Sequence, residues 1–337
     1  MIIKSKTSKK ILIKKTDKIS KLFFIIFFIF IISSFLSFIL GIYSYKNGDI
    51  QKVYYDLINF PKLIGSRIAM HTNSKETIFI DMDFESINRI EYDSKYLEEY
   101  AIYSDENWVN AKITHDKKKY DVKIRLTGTH NDHRINPKEY SYRIKIKNDQ
   151  YLLGMKELAI LEPVRRSDLL EWVFMKILKD EGLIYHRIHF INLVINGESM
   201  GLKLLQEQYD KILIENNQLR DGPIIGFDKD PMFETFNQNK KISDYPYTMP
   251  STNFFLISPI KINKKKFYYE NPEMLGLLEK SIDMLESFRQ GKIEPSKIFN
   301  VKSFAKLLAI RTLLSSYEFD WSDIKFYFNP MTMKLEP

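Results

Sequence analysis

The dipeptide Asn196-Gly197 constrains the fold more than any other short feature of this sequence. It separates two apolar runs, Ile188–Ile195 and Met200–Leu205. A two-residue hairpin turn needs positive φ at both central positions, and Asn and Gly adopt positive φ at low cost. The sequence therefore predicts a tight antiparallel hairpin here, and any fold proposed for the chain must contain it.

Alternation of apolar and polar residues predicts further strands upstream. One begins near Thr77, and Val109–Ile113 faces Tyr120–Leu126 across a polar turn at residues 115–118. Another strand covers Tyr140–Lys147, with one buried and one charged face. These segments predict a small antiparallel sheet that precedes the Asn-Gly hairpin.

Beyond the first strands, apolar residues at helical spacing predict four helices. One long segment without a clear period separates the second of these helices from the third. The first helix has Ser167 as a candidate N-cap and ends at Gly182. Residues Pro231–Tyr269 predict a long irregular connection. The other predicted helices are Tyr209–Asn217, Pro272–Arg289 and Val301–Ser316.

The N-terminal part of the chain predicts a membrane anchor. Leu22–Ile42 is an uncharged stretch of 21 residues, and about 20 apolar residues in a helix cross a bilayer core. A cleaved signal peptide fits less well, because no small-residue cleavage site follows. We therefore expect a Lys-rich tail over residues 1–21, a transmembrane helix over 22–42, a stalk over 43–76 and a folded domain over 77–337.

Charge around the apolar stretch predicts its orientation. Eight lysines and one aspartate precede it, and these +7 charges account for nearly all of the net charge of +8. Because positive flanks stay in the cytoplasm, we expect a single-pass cell-membrane protein with an extracytoplasmic C-terminal domain. The membrane lipid is then one partner. The nearly neutral remainder argues against a nucleic-acid partner, which needs clustered basic residues.

Two carboxylates near the end of the chain predict a site for metal and phosphate. The last predicted helix leads to Asp320 and Asp323, which a final hairpin follows from Lys325 onwards. Two solvated acids at a helix end are the alternative reading. The order of elements, with a small sheet, a packed helix, an apolar hairpin, helices and paired acids, predicts an α+β, protein-kinase-like, two-lobed domain.

Several short motifs together resemble the CotH kinase family, from about Tyr120 to Pro337. That family is similar to spore-coat and surface-associated proteins with an atypical protein-kinase fold. The resemblance implies a C-terminal lobe that is incomplete at Pro337. The motifs are Arg125–Gly128, Ser141–Lys145, Leu153–Lys156, Ile195–Glu198 through Gly201 to Glu207, and Lys325–Pro330 to Leu335–Pro337.

The resemblance implies roles for the two acids. Asp320 matches the catalytic aspartate, which accepts the proton of the substrate hydroxyl. Asp323 stands where relatives commonly have an asparagine that binds the metal, and an aspartate there adds negative charge. The implied cofactors are ATP and Mg²⁺ or Mn²⁺. Relatives have a metal-binding aspartate soon after the segment that matches Leu335–Pro337, so we expect weak or absent transfer unless the chain continues.

The phosphate-binding cation is expected on the charged strand. Lys145 is the first candidate, with Arg143 on the same face and Lys138 just before the strand as rivals. Glu171, in the first turn of the packed helix, is the expected ion-pair partner. A solvated strand lysine and an acid that favours the helix dipole are the alternative interpretations.

Two more residues are expected near the nucleotide. Glu207 would lie at the crossover near the adenine, where backbone groups recognise the base. Gly128 would let a phosphate approach closely, although a glycine at a strand end can serve a turn alone.

Other chemistries have less support. The pair His130 and His133 has no third spaced ligand for zinc, there is no cysteine nucleophile, and neither Walker nor Rossmann glycine motifs occur. The sequence predicts a membrane-anchored kinase that transfers the ATP γ-phosphate to a hydroxyl of a surface or envelope protein. The alternative is a catalytically inactive envelope binding or assembly protein.

Overall fold

The computed structural model describes residues 27–39, 41, 77–166, 169–242, 255–314 and 323–337. The chain divides into two compact units, Met1–Pro61 and Lys62–Pro337. All elements from Thr77 onwards belong to the second unit. The predicted tail (1–21) and stalk (43–76) lie outside the described residues, and the domain boundaries given above stay predictions.

Seven strands form a closed sheet in the first half of the second unit. Their order around the sheet is β1-β2-β3-β4-β5-β7-β6, so the last strand pairs again with the first. Alternate residues point inwards, and Ile78, Ile113, Val122, Ile144 and Leu193 are completely buried there. The strands are β1 (Thr77–Asp81), β2 (Val109–His115), β3 (Lys118–Leu126), β4 (Tyr142–Ile146), β5 (Glu157–Leu161), β6 (Ile188–Ile195) and β7 (Glu198–Glu207).

The Asn-Gly turn has two structural roles. Asn196 and Gly197 have φ of 47° and 81°, and β6 and β7 pair in antiparallel on either side, which confirms the predicted hairpin. The Asn196 side chain also reaches β1: its Oδ1 accepts from Met82 N and its Nδ2 donates to Met82 O, both at 2.8 Å. The turn therefore fixes the end of β1, which pairs in parallel with β6.

The other predicted strands are confirmed, and two elements of the closed-sheet half, a helix and a strand, were missed. The hairpin β2–β3 turns at Asp116-Lys117, where φ is 46° and 64°. A helix, α1 (Phe84–Tyr96), begins soon after β1, because the Asp83 side chain accepts from Ser86 N at 2.8 Å and caps it. The strand β5 completes the sheet between β4 and β7.

The second half contains a four-stranded sheet with the order β11-β10-β8-β9. Helices pack on it, and the core between them includes Phe227, Leu278, Leu285, Phe326 and Phe328. The strands are β8 (Ile224–Phe227), β9 (Ile260–Ile262), β10 (Lys325–Asn329) and β11 (Lys334–Glu336). The helices after α1 are α2 (Leu170–Asp180), α3 (Lys211–Asn216), α4 (Asp230–Ile242), α5 (Lys265–Glu270), α6 (Pro272–Arg289), α7 (Pro295–Ile298) and α8 (Val301–Leu313).

Most of the predicted helices are present. The helix α6 has the predicted bounds, and α2, α3 and α8 lie within theirs. The irregular connection over Pro231–Tyr269 is wrong in part, because it contains most of α4, all of β9 and most of α5, while residues 243–254 lie outside the described ones. The expected final hairpin is β10–β11.

The prediction of a protein-kinase-like, two-lobed α+β domain behind a transmembrane helix is corrected by this topology. That prediction placed a small antiparallel sheet over a nucleotide as one of two lobes. Instead β1 pairs with both β2 and β6, which closes the sheet into a separate layer with its own core. The parallel β1–β6 pairing joins segments more than 100 residues apart, so no local pattern announced it.

The predicted transmembrane helix over Leu22–Ile42, and the single-pass membrane localisation based on it, are also corrected. Of this stretch the structure describes residues 27–39 and 41, which are helical. Within the described part of the chain, no helix combines the length and the apolarity that crossing a membrane requires.

Candidate functional site

A cleft of about 620 Å³ lies between the closed sheet and the four-stranded sheet. One wall is the outer face of β3, β4, β5 and β7. The opposite wall is formed by Lys229 shortly after β8, Lys261 on β9 and Lys325 at the start of β10, and side chains of α2 and α4 contribute. Because residues from distant segments meet here, the cleft is the candidate site.

Two arginines stand side by side on the closed sheet. Arg125 on β3 is the register partner of Arg143 on β4, and the same transverse row continues through Ala159 to Gln206. All four residues line the cleft, while their apolar strand neighbours point into the core. The alternation of the strands therefore presents two guanidinium groups to the same space.

Aromatic rings hold Arg125. Its Cζ lies 4.4 Å from the centroid of the Tyr103 ring and 4.9 Å from that of Trp108, and its Nη1 donates to Leu126 O at 2.7 Å. Burial, followed by the charge of Arg143, lowers the pKa of Arg125 to about 10. The group stays cationic at neutral pH, and within the described chain it makes no ion pair with a carboxylate.

Arg143 is anchored by polar partners. Its Nη2 lies 3.4 Å from Glu157 Oε2, and its Nη1 donates to Gln208 Oε1. Burial lowers the pKa of Arg143, and the charge of Glu157 opposes that shift. Arg143 is thus fixed in orientation at the side of Arg125.

Lys325 projects into the cleft from the opposite wall. Its register partner on β8 is Gly226, and a Cβ at that position would lie 2.8 Å from Lys325 Cδ and 3.0 Å from its Nζ. Gly226 therefore leaves the space that the lysine side chain occupies. Burial, followed by the charge of Lys229, lowers the pKa of Lys325 to about 8. No residue in the described ranges forms an ion pair with it.

The carboxylates of the cleft are engaged by neighbouring side chains. Lys229 forms an ion pair with Asp323, and Lys261 bonds both Asp230 and Asp228, the latter at 2.9 Å.

The remaining lining carboxylate lies on α2. Glu171 Oε1 accepts from Gln206 Nε2 at 2.5 Å. Glu171 forms no ion pair with Arg143 or Lys145, the cations expected on β4. It contacts Gln206 instead, which lies in the same transverse row of the sheet as Arg143.

Four of the predicted site residues line the cleft, namely Gly128, Arg143, Glu171 and Asp323. Gly128 has φ of 94°, and a Cβ there would lie 2.6 Å from His133 Cβ. The space beside Gly128 is thus filled by His133 rather than left open for a phosphate. The roles assigned to these residues stay predictions.

Three further predicted residues lie away from the cleft. The Lys145 ammonium sits 4.5 Å from the centroid of the Trp108 ring, two residues along β4 from Arg143. Glu207 is buried and binds Arg187 through its Oε2, 2.9 Å from Nε. Lys138 Nζ is 3.9 Å from Glu198 Oε1. Asp320 lies outside the described residues.

The two histidines considered for zinc also line the cleft. His133 Nδ1 is 3.0 Å from Ser141 Oγ. The His130 and Tyr100 rings pack edge to face, with their centroids 5.1 Å apart. Both have protein contacts, and a group of three potential metal ligands of the His, Cys, Asp or Glu type does not occur among the residues that the structure describes.

Sequence reasoning assigned no role to four cleft cations, Arg125, Lys229, Lys261 and Lys325. Arg125 could have been found, because an antiparallel pairing of β3 with β4 in register places it opposite Arg143. The three lysines belong to segments separated by up to 96 positions, from 229 to 325, and only the tertiary fold brings them together.

Comparison with known families supports the resemblance seen in the motifs. The model of the CotH kinase protein family matches residues 124–333, which is 210 of the 337 residues. The matched range begins on β3 and ends just before β11, so it contains both walls of the cleft. A comparison with curated proteins finds no match. With more than half of its length matched, the chain belongs to the CotH kinase family.

Proposed function

We propose that the protein is a kinase whose cleft binds the phosphates of ATP and which transfers the γ-phosphate to a hydroxyl of a protein. The observation that carries this proposal is the pair Arg125 and Arg143, with Lys325 opposite, in the cleft of a CotH family chain. A surface or envelope protein as the acceptor remains a prediction from the sequence.

The cationic side chains suit a triphosphate. Guanidinium groups match the geometry of phosphate oxygens and bind them through two parallel hydrogen bonds. Arg125 forms no ion pair with a carboxylate of the described residues, and its two aromatic neighbours hold it in place. Lys325 adds a point charge on the other side of the cleft, so the phosphates would lie between the two walls.

The predicted Mg²⁺ or Mn²⁺ fits the described side chains less well. Hard cations are held by carboxylate and carbonyl oxygens. Here the Asp323 carboxylate is paired with Lys229 and that of Asp230 with Lys261. The described part of the cleft is therefore arranged for an anion, and we assign no catalytic step to a metal.

Asp320 has the proposed role of accepting the proton from the acceptor hydroxyl, and ATP supplies the phosphoryl group. This role rests on the family resemblance. Incubation of the full chain with radiolabelled ATP and casein should label casein or the chain itself. Asp320→Asn should lower labelling by at least about 100-fold, the lower range for loss of a general base.

A matched substitution controls for nonspecific loss of charge. Asp283→Asn changes an exposed aspartate on α6 and should leave labelling unchanged. Equal labelling by Asp320→Asn and the unchanged chain would remove Asp320 from the mechanism.

A second candidate is a nucleotide-binding protein without transfer activity. The ion pair between Lys229 and Asp323 favours it, because an ammonium occupies the carboxylate that was predicted to bind metal. ATP binding in the cleft together with no labelling of any acceptor would select this alternative over the kinase.

A further inference from the structure

We infer that the cleft binds the triphosphate of its nucleotide without a divalent cation, because side-chain ammonium and guanidinium groups neutralise the phosphate charge. This inference rests on the proposed nucleotide binding and concerns how the same site achieves it. In P-loop ATPases and protein kinases, metal ions bridge the phosphate oxygens and neutralise their charge.

The first observation is the excess of positive groups. Among the described lining residues, five carry a permanent or near-permanent positive charge and three carry a carboxylate, which leaves 5 − 3 = 2 positive charges with histidines neutral. The carboxylates are Glu171, Asp230 and Asp323. The cations are Arg125, Arg143, Lys229, Lys261 and Lys325. Glu157 and Asp228, outside the lining, pair with Arg143 and Lys261, so the lining cations that have no ion-pair partner among the described residues are Arg125 and Lys325. These two groups attract an anion and repel a further cation.

The second observation is that the absence of a side chain at Gly226 leaves space for the Lys325 side chain in the cleft. Its stem lies across Gly226, where any larger residue would collide with it. Its ammonium has no ion-pair partner in the described residues. Since the side chain is already placed in the cleft, binding a phosphate oxygen would require little reorganisation.

The third observation concerns Asp323, the predicted metal ligand. Its Oδ1 is bound by the Lys229 ammonium, and Lys325 follows two residues later in the chain. A divalent ion at Asp323 would have to displace Lys229 from Oδ1 or bind the other carboxylate oxygen beside it, and in either place it would stand near ammonium groups. A phosphate, in contrast, would gain from both lysines and leave the ion pair intact.

Isothermal titration of the full chain with ATP tests this inference. We expect the dissociation constant in EDTA to lie within about threefold of that in excess MgCl₂, a difference below 1 kcal/mol. Inorganic tripolyphosphate should compete with ATP in EDTA, and adenosine should not.

Two variants connect the result to Lys325. Lys325→Met keeps an unbranched stem over Gly226 and should weaken ATP binding in EDTA by about tenfold or more, as loss of a charged hydrogen bond does. Gly226→Ala keeps the charge but displaces the side chain, and should act in the same direction. Lys334→Met is the control on the same sheet: its Nζ contacts Ser296 O outside the cleft, and its ATP affinity should stay within about twofold.

The outcomes separate this inference from the proposed function. Binding that appears only with MgCl₂ overturns the inference and leaves nucleotide binding in place. Binding in neither buffer overturns both. Unchanged affinity in EDTA for both folded variants, Lys325→Met and Gly226→Ala, also overturns the inference.

Discussion

The contact between Gly128 and His133 predicts a large stability cost for the substitution Gly128→Ala. An alanine at φ of 94° enters a region that costs an L-residue about 1–2 kcal/mol. Its Cβ would also lie 2.6 Å from His133 Cβ, and overpacking of this kind costs about 1–3 kcal/mol. The free energy of unfolding should therefore fall by about 2–5 kcal/mol in total.

A second glycine provides the matched control. Gly182 follows α2 with φ of 68°, and a Cβ there would have no atom within 4 Å. Gly182→Ala therefore carries the backbone cost alone, about 1–2 kcal/mol. The entropy that alanine removes from the unfolded chain is the same for both variants and cancels in the comparison.

Urea denaturation followed by circular dichroism measures both variants, and the difference between them should be about 1–3 kcal/mol. Combining Gly128→Ala with His133→Ala should recover part of that difference. Equal losses for the two single variants would refute the packing argument. A Gly128→Ala protein of normal stability with impaired ATP binding would instead favour the phosphate-approach role predicted from the sequence.

Three further predictions concern residues that hold the closed sheet. Glu207→Ala should lower the free energy of unfolding by about 3–5 kcal/mol, because it leaves Arg187 without its buried partner. The ATP affinity should stay unchanged, because the Glu207 carboxylate lies outside the cleft. Asn196→Gly keeps the turn conformation but loses two hydrogen bonds to Met82. Urea titration should therefore show that the free energy of unfolding falls by about 1–3 kcal/mol, and an unchanged value would contradict the proposal that the turn fixes the end of β1. Burial lowers the pKa of His186 below 6.5, so the unfolded chain binds its proton more readily. Stability should fall as pH is lowered from about 7.5 to 5.5, and less steeply in His186→Asn; identical slopes would contradict this.

The sequence could predict elements that depend on neighbouring residues. The turn at Asn196-Gly197, the hairpin β2–β3 and the helix α6 all follow from turn chemistry or periodicity within about 20 residues. The closure of the sheet could not be predicted in the same way. It depends on hydrogen bonds between Met82 and Asn196, which are 114 positions apart. Nothing near Thr77 shows that its strand will pair with β6.

The candidate site shows the same limit. Alternation placed Arg143 and Lys145 on one face of β4, but it could not decide which of the two faces the cleft. The cleft lies over the row that contains Arg125 and Arg143, whereas Lys145 packs against Trp108 two residues farther along. Glu207 was assigned from its place after the hairpin, yet Arg187 on the neighbouring strand binds its side chain.

The central claim is that the cations of this cleft bind nucleotide phosphates. A crystal structure of the chain with a non-hydrolysable ATP analogue tests it most directly. We predict phosphate oxygens within hydrogen-bond distance of the Arg125 guanidinium and the Lys325 ammonium. An analogue bound elsewhere on the protein, with the cleft between the two sheets left empty at saturating concentration, would contradict the account.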